Sequence, residues 1–315
     1  MSLLVVGSVA LDTVETPHGR VEGILGGSAV YFAYAASYLA PVRLVGVVGE
    51  DFPDEYLRFV RARNIDTTGL VVRRGRTFRW SGRYQGDMNA AETVTVDLNV
   101  FGEFVPVIPD TYRESQFVFL ANGSPALQRH VLRQVPGAAF TVTDTMNHWI
   151  RDARAEVEAL VRETDATFVN DGEARLLTGE ANLVRAGQRI LAMGAKYAII
   201  KKGEHGALLF AEHRCYAYPA YPTAEVKDPT GAGDSFAGGV MGHLARVGKV
   251  NITTLRQAML YGTVLASFTV EDFGLNRLAR LTVAELEARV SEYRDMLLVS
   301  HEGGAQASMG RGGGG

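Results

Sequence analysis

Lys227-Asp228-Pro229-Thr230-Gly231-Ala232-Gly233-Asp234-Ser235-Phe236-Ala237-Gly238-Gly239 is the stretch on which this 315-residue sequence turns. Two glycines around one small residue let successive backbone N–H groups converge without Cβ obstruction. Apolar residues then recur at helical spacing, at Phe236, Val240, Met241 and Leu244, which predicts a helix over Ala232–Arg246. Its N-terminus would present unsatisfied N–H groups and a partial positive charge, a setting that suits a phosphate. Asp234 falls in the first turn, either as a cap or as a base beside a phosphoryl group in transfer. A tight turn with a capping aspartate accounts for the same residues. A dinucleotide fingerprint is a further reading, opposed by Phe236 where the third glycine belongs. No Gly-Lys-Ser/Thr occurs, which excludes a Walker A loop. Gly238 and Gly239 inside a helix each cost about 1 kcal/mol relative to alanine, so they point to close backbone approach.

Outward from this stretch, β-branched runs alternate with amphipathic ones. Strands are predicted at Leu3–Val9, Val42–Val48, Phe117–Ala121, Phe140–Thr143, Thr167–Asn170, Tyr197–Lys201 and Ala207–Phe210. Helices are predicted at Ala29–Leu39, Asp54–Arg63, Pro125–Gln134, Asp152–Arg162, Val184–Met193, Thr253–Thr269 and Thr282–Leu297. Such alternation implies βαβ units around a mostly parallel sheet covered on both faces, an α/β fold of three layers. Two segments break the rhythm. Val14–Ile24 is polar and turn-prone, and Thr77–Phe101 places Trp80, Tyr84, Val94, Val96, Leu98 and Val100 in near alternation. Segments at about 13–25 and 77–101 are expected to pair as a small β lid over the carboxyl ends of the core strands, where ligands of open α/β sheets sit. A single domain over 1–300 is expected, followed by a low-complexity, disordered tail over 301–315.

Bulk composition narrows the function. The chain is 47% hydrophobic and 21% charged, with a formal net charge of -3. That balance gives no electrostatic case for a nucleic-acid or membrane partner. Cys215 stands alone and the seven histidines are scattered, so neither a disulfide framework nor a multi-cysteine metal site is expected. Met1–Gly7 reads as the start of a strand rather than a signal peptide, and Ala29–Val42 is too short to span a bilayer. A cytoplasmic location is expected.

Asp228–Gly239 resembles the signature of the ribokinase/PfkB family of sugar and nucleoside kinases, and the resemblance runs from Leu4 to about Leu281. Gly7–Asp12 resembles the family's first strand and its substrate-binding aspartate. Gly26-Gly27-Ser28-Ala29 resembles its Gly-Gly substrate loop, and Val45–Asp51 the following strand and turn. Asn170-Asp171-Gly172-Glu173 fits its Asn-x-x-Glu element, and Ile199–Gly206 the strand before the nucleotide ribose.

The resemblance implies a ribokinase-like fold and ATP-dependent phosphorylation of a hydroxyl, in the first instance a primary CH₂OH of a sugar or sugar-like molecule. It implies Asp234 as the general base and the N–H groups of Gly231, Ala232, Gly233 and Asp234 as an anion hole. Asn170, Lys202, Gly203 and Thr230 would contact the nucleotide. Asp12, Gly26, Gly27 and Tyr31 would contact the acceptor. Glu173 would hold Mg²⁺ through water, and Asp228 and Thr230 resemble positions that help hold a monovalent cation such as K⁺ in some relatives. A homodimer through the lid is a further expectation. Plainer readings stand beside these: Asn170–Glu173 as a helix capping box, Asp228 as a turn residue before Pro229, and Lys202 as an exposed strand-end charge. Trp80, Arg83 and Tyr84 either close over a ring or cover a partner sheet.

Two departures matter. Ribose-binding relatives carry Asn where this chain has Tyr31, and the strand before Gly203 often ends in Thr where this chain has Lys201 and Lys202. A nucleoside kinase and a non-catalytic ligand-binding member of the same fold are therefore kept as alternatives. A nicotinamide dehydrogenase is opposed by the missing third glycine.

Overall fold

Two sheets organise the computed structural model, which describes residues 1–298. The expected tail over 301–315 lies outside those residues. In chain order the strands are β1 (Leu3–Val6), β2 (Ala10–Thr16), β3 (Gly19–Gly26), β4 (Val42–Gly49), β5 (Ile65–Arg73), β6 (Phe78–Tyr84) and β7 (Ala91–Asp97). They continue as β8 (Phe117–Leu120), β9 (Phe140–Asp144), β10 (Ala166–Asn170), β11 (Tyr197–Lys201), β12 (Ala207–Ala211) and β13 (Arg214–Tyr218). The large sheet runs β13-β12-β11-β10-β9-β8-β1-β4-β5. It is parallel from β11 to β5, and the β12–β13 hairpin adds an antiparallel edge.

Side-chain alternation along the central strands feeds a helical layer on each face. Leu3, Val5, Phe117 and Phe119 enter one core, while Leu4, Val6, Val118 and Leu120 enter the other. The first core is covered by helices α1 (Ser28–Ala36) and α2 (Asp54–Arg61). On the opposite face lie α3 (Pro125–Leu132), α4 (Asn147–Asp152), α5 (Arg154–Glu163), α6 (Asp171–Thr178) and α7 (Leu183–Met193). The chain then returns to the first face with α8 (Ala232–Val247), α9 (Ile252–Thr269), α10 (Asn276–Arg280) and α11 (Val283–Leu297). Among the described residues, no helix is long and apolar enough to cross a membrane.

Alpha8 is wedged between α1 and α9, and its glycines explain how. A methyl group on Gly238 would overlap the Phe32 carbonyl oxygen of α1, and one on Gly239 would lie 2.6 Å from the Tyr261 carbonyl oxygen of α9. Gly238→Ala should therefore destabilise the fold, because overpacking costs about 1–3 kcal/mol and outweighs the helix-propensity gain of about 1 kcal/mol. Thermal unfolding should show a midpoint several degrees lower; an unchanged or higher midpoint would mean the helices part freely.

The small sheet has the order β3-β2-β6-β7, with β2 and β6 parallel and both flanking pairs antiparallel. It matches the expected lid in place and make-up, with corrected bounds. Leu3–Val9 is not one strand: β1 ends at Val6, and the chain crosses into the small sheet by Ala10. Gly7 lies packed at this crossing, where an added methyl would be 2.6 Å from Ala121 Cβ. The Ser8 carbonyl accepts from Ala29 N–H at 3.1 Å, and Ser8 Oγ accepts from Ser28 N–H at 3.0 Å. Bound to the first residues of α1, the Ser8 carbonyl cannot continue the ladder. At the other end, β7 stops at Asp97 and Asn99–Phe101 forms a single 3₁₀ turn. Strand β5 lay outside the expected strands because its alternation, with Ile65, Thr67 and Gly69 buried, uses polar and small residues.

Candidate active site

The first turn of α8 meets the carboxyl ends of β9, β10 and β11 and the inner face of the small sheet. Gly231 precedes the helix with φ 75°, a left-handed conformation that glycine adopts without strain. A side chain there would overlap the ring of Tyr31, which packs directly on the glycine. Ala232 N–H donates to the Pro229 carbonyl at 3.2 Å, and Ser235 N–H donates to the Gly231 carbonyl at 2.8 Å. The N–H groups of Gly233 and Asp234 belong to the first turn, which has no intrahelical acceptors for them.

Asp234 is half-buried in that turn. Burial raises its pKa to about 8, with Asp144, Asp12 and Glu173 adding to the rise and Lys201 opposing it. Asp12, on β2, is 4% exposed and accepts the Gly27 N–H. Burial pushes its pKa to about 7, opposed by that hydrogen bond and reinforced by Asp228. Gly26 leaves room for this carboxylate, since an added methyl would overlap it, and Gly27 turns the chain with φ 96°. Glycines of the Gly-Gly loop thus shape the space around Asp12.

Tyr31 on α1 is buried, and its hydroxyl has no hydrogen-bond partner among the described residues. Asp228 is fully buried, its oxygens accepting Thr230 N–H at 2.9 Å and Gly274 N–H at 3.0 Å. The turn-residue reading of Asp228 is thus satisfied. Thr230 Oγ1 donates to the Tyr84 hydroxyl at 3.3 Å, which ties β6 of the small sheet to the α8 turn. A second tie joins the β6–β7 connection to the large sheet: Asn89 Nδ2 donates to Glu204 Oε1 at 2.7 Å.

The capping-box reading of Asn170–Glu173 holds in full, with Glu173 N–H donating to Asn170 Oδ1 and Asn170 N–H donating to Glu173 Oε2, both at 2.7 Å. Capping and function are compatible here, because the box fixes Glu173 at the carboxyl end of β10. Burial raises the Glu173 pKa to about 7, with Asp144 adding and Lys201 opposing. Asp144 ends β9 and holds Lys201 Nζ at 3.0 Å. Sequence reasoning had ended that strand one residue early, at Thr143. An acidic residue closing a buried strand at the carboxyl edge of the sheet was the signal available. Of the two adjacent lysines, Lys201 joins the carboxylates. Lys202 lies half-buried beyond them, its N–H donating to the Gly206 carbonyl at 2.7 Å. Gly203 follows with φ 56° beside Asn89.

Among the described residues, no three His, Cys, Asp or Glu side chains form a metal cage on their own. Mg²⁺ bound with a nucleotide typically takes only one or two carboxylates and completes its shell with phosphates and water. Glu173 and Asp144, both acidic oxygen donors close enough to act on Asp234, suit that mode.

A nine-stranded, mostly parallel sheet between two helical layers, with a small mixed sheet over its carboxyl edge, defines a ribokinase-like α/β protein. The model of the pfkB family carbohydrate kinases matches residues 2–280, and the chain belongs to that family. It is thereby a phosphotransferase with an alcohol acceptor. It is 30% identical over 252 residues to a cytidine kinase of Thermococcus kodakarensis, covering 78% of this chain and 89% of the relative. Among solved structures, a putative ribokinase II from E. coli in complex with ATP and Mg²⁺ superposes with a TM-score of 0.77 at 19% identity, covering 92% of this chain and 99% of that one. A Burkholderia thailandensis nucleoside kinase in complex with inosine gives 0.72 at 20% identity, covering 92% and 98%. These structural likenesses bear on the fold.

Proposed function

We propose that the protein transfers the γ-phosphoryl group of ATP to a primary hydroxyl on a sugar ring, free or carried in a nucleoside, with Asp234 as general base. The observation that carries this reading is the Asp234 carboxylate in the first turn of α8, behind the left-handed Gly231 and with its pKa raised into the range of a working base. Asp12, Gly26 and Gly27 bind the acceptor and aim its hydroxyl at Asp234, whereas Tyr31, expected to join them, is buried against Gly231 and backs the turn instead of touching a ligand. Asp234 takes the hydroxyl proton as the oxygen bonds to the γ-phosphorus and the bond to the bridging oxygen of ADP breaks. The Gly233 and Asp234 N–H groups, with the Gly231–Ala232 turn that places them, stabilise charge on the moving group. Bound Mg²⁺ neutralises phosphate charge; Glu173, fixed by Asn170, is the residue to hold it through water. Thr230, Lys202 and Gly203 line the nucleotide side. The small sheet acts as a lid, tied down by Tyr84–Thr230 and Asn89–Glu204, and excludes water from the transfer.

A nucleoside acceptor is favoured by the likeness to a cytidine kinase over most of both chains. An ADP-release screen with Mg-ATP across sugars and nucleosides tests both, and a K⁺ titration in the same assay tests Asp228 and Thr230 as a cation site. Acceptor-dependent ADP release over a low ATPase background is expected. Release that no acceptor raises, joined by thermal-shift binding of an acceptor, would favour the non-catalytic reading.

A further inference from the structure

Lys201 closes β11, and its side chain, 17% exposed, reaches Asp144 Oδ2 at 3.0 Å. The same ammonium lies against α8: a methyl group placed on Gly233 would be 3.4 Å from Nζ and 3.7 Å from Cδ. An ammonium carries three donors, and Asp144 is the acceptor found for it among the described residues. Donors left over on a largely desolvated cation are costly until an acceptor completes them. Here they sit beside the first-turn N–H groups that face no intrahelical partner. The surrounding charge argues the same way. Asp144, Glu173 and Asp234 all act on Lys201. A polyphosphate arriving at this wall of carboxylates needs a positive charge on the protein side. Lys202, the neighbouring lysine, acts instead on Cys215 of β13.

We propose that Lys201 binds phosphate oxygens at the β–γ end of the nucleoside triphosphate, with Asp144 fixing the direction of its ammonium. This assignment rests on the kinase reading above. Placement next to Gly233, one residue from Asp234, puts the charge at the end of the nucleotide where transfer occurs rather than at its base. The competing role is purely structural, Lys201 serving as counter-ion to Asp144 and nothing more.

Affinity for nucleotides of different phosphate number separates the two roles. The full chain and its Lys201→Met and Lys201→Arg variants are titrated calorimetrically with ATP, ADP and AMP, first without divalent metal and then with Mg²⁺. A charge-assisted contact to phosphate predicts that Lys201→Met weakens ATP about 10- to 100-fold while AMP stays within about 3-fold. Lys201→Arg should restore most of the ATP affinity, since its guanidinium also pairs with phosphate. Lys201→Gln carries the same expectation as Lys201→Met and replaces it should that variant not fold. Parallel losses for ATP and AMP, or no loss for either, overturn the assignment in favour of a structural counter-ion. Wild-type protein that neither binds ATP nor releases ADP with any acceptor overturns the kinase reading itself. Normal wild-type turnover with an unchanged ATP-to-AMP preference in Lys201→Met overturns the Lys201 assignment alone.

Discussion

Asp234→Asn should leave the protein folded and able to bind nucleotide while its kcat falls at least about 100-fold, since a positioned general base contributes roughly 10²–10⁴-fold. The substitution keeps the size of the side chain and removes its capacity to take a proton. Its effect on folding should be small or favourable, because burial disfavours the charged form of this carboxylate, raising its pKa to about 8, and the amide carries no charge to desolvate. The sign of the pH dependence follows. A base works only when ionised, so kcat/KM of the wild type should fall as pH drops through a value near 8, the pKa to which the site raises Asp234. That acid limb should be missing from the residual activity of Asp234→Asn. Steady-state kinetics from pH 6 to 9 read both outcomes together. Turnover of the variant within a few-fold of wild type would remove Asp234 from the chemistry.

Gly231→Ala is the second substitution with a large expected effect, and it acts through geometry rather than charge. Alanine in the left-handed region costs about 1–2 kcal/mol. The added methyl also overlaps the Tyr31 ring, which is buried and has no open space into which to retreat. Relief must come from the turn itself, which swings the Gly233 and Asp234 N–H groups off their aim. One such donor is worth about 3 kcal/mol in the transition state, so kcat should drop about 100-fold or more. The unfolding midpoint should fall by only a few degrees, because the strain is local to one turn. A kcat within about 3-fold of wild type, in a protein of normal stability, would show that these N–H groups hold no developing charge.

Both substitutions sit in a stretch that is legible from the sequence. The helix start at Ala232 followed from glycine spacing and the apolar period beginning at Phe236, and Gly238 and Gly239 announced close packing that α1 and α9 supply. Strand–helix alternation points to the two-faced sheet, since parallel strands joined by helical crossovers are covered on both faces. The capping box at Asn170 and Glu173 was equally local, three residues apart on one turn.

Contacts between distant residues could not be read this way. Lys201 and Asp144 are 57 positions apart, and Thr230 and Tyr84 are 146 apart. Nothing in either local sequence names the partner, because strand order in the sheet, not chain order, brings these ends together. Along the chain Tyr31 reads as an acceptor contact in place of an asparagine; packing makes it the ring that seals Gly231. The sequence by itself determined the α/β layering and the helix start behind Gly231, since propensity, periodicity and glycine conformation act over a few residues. The tertiary structure alone decided which carboxylates crowd Asp234, which lysine answers them and how the small sheet fastens over the site, because burial and Coulomb fields depend on the whole chain being in place.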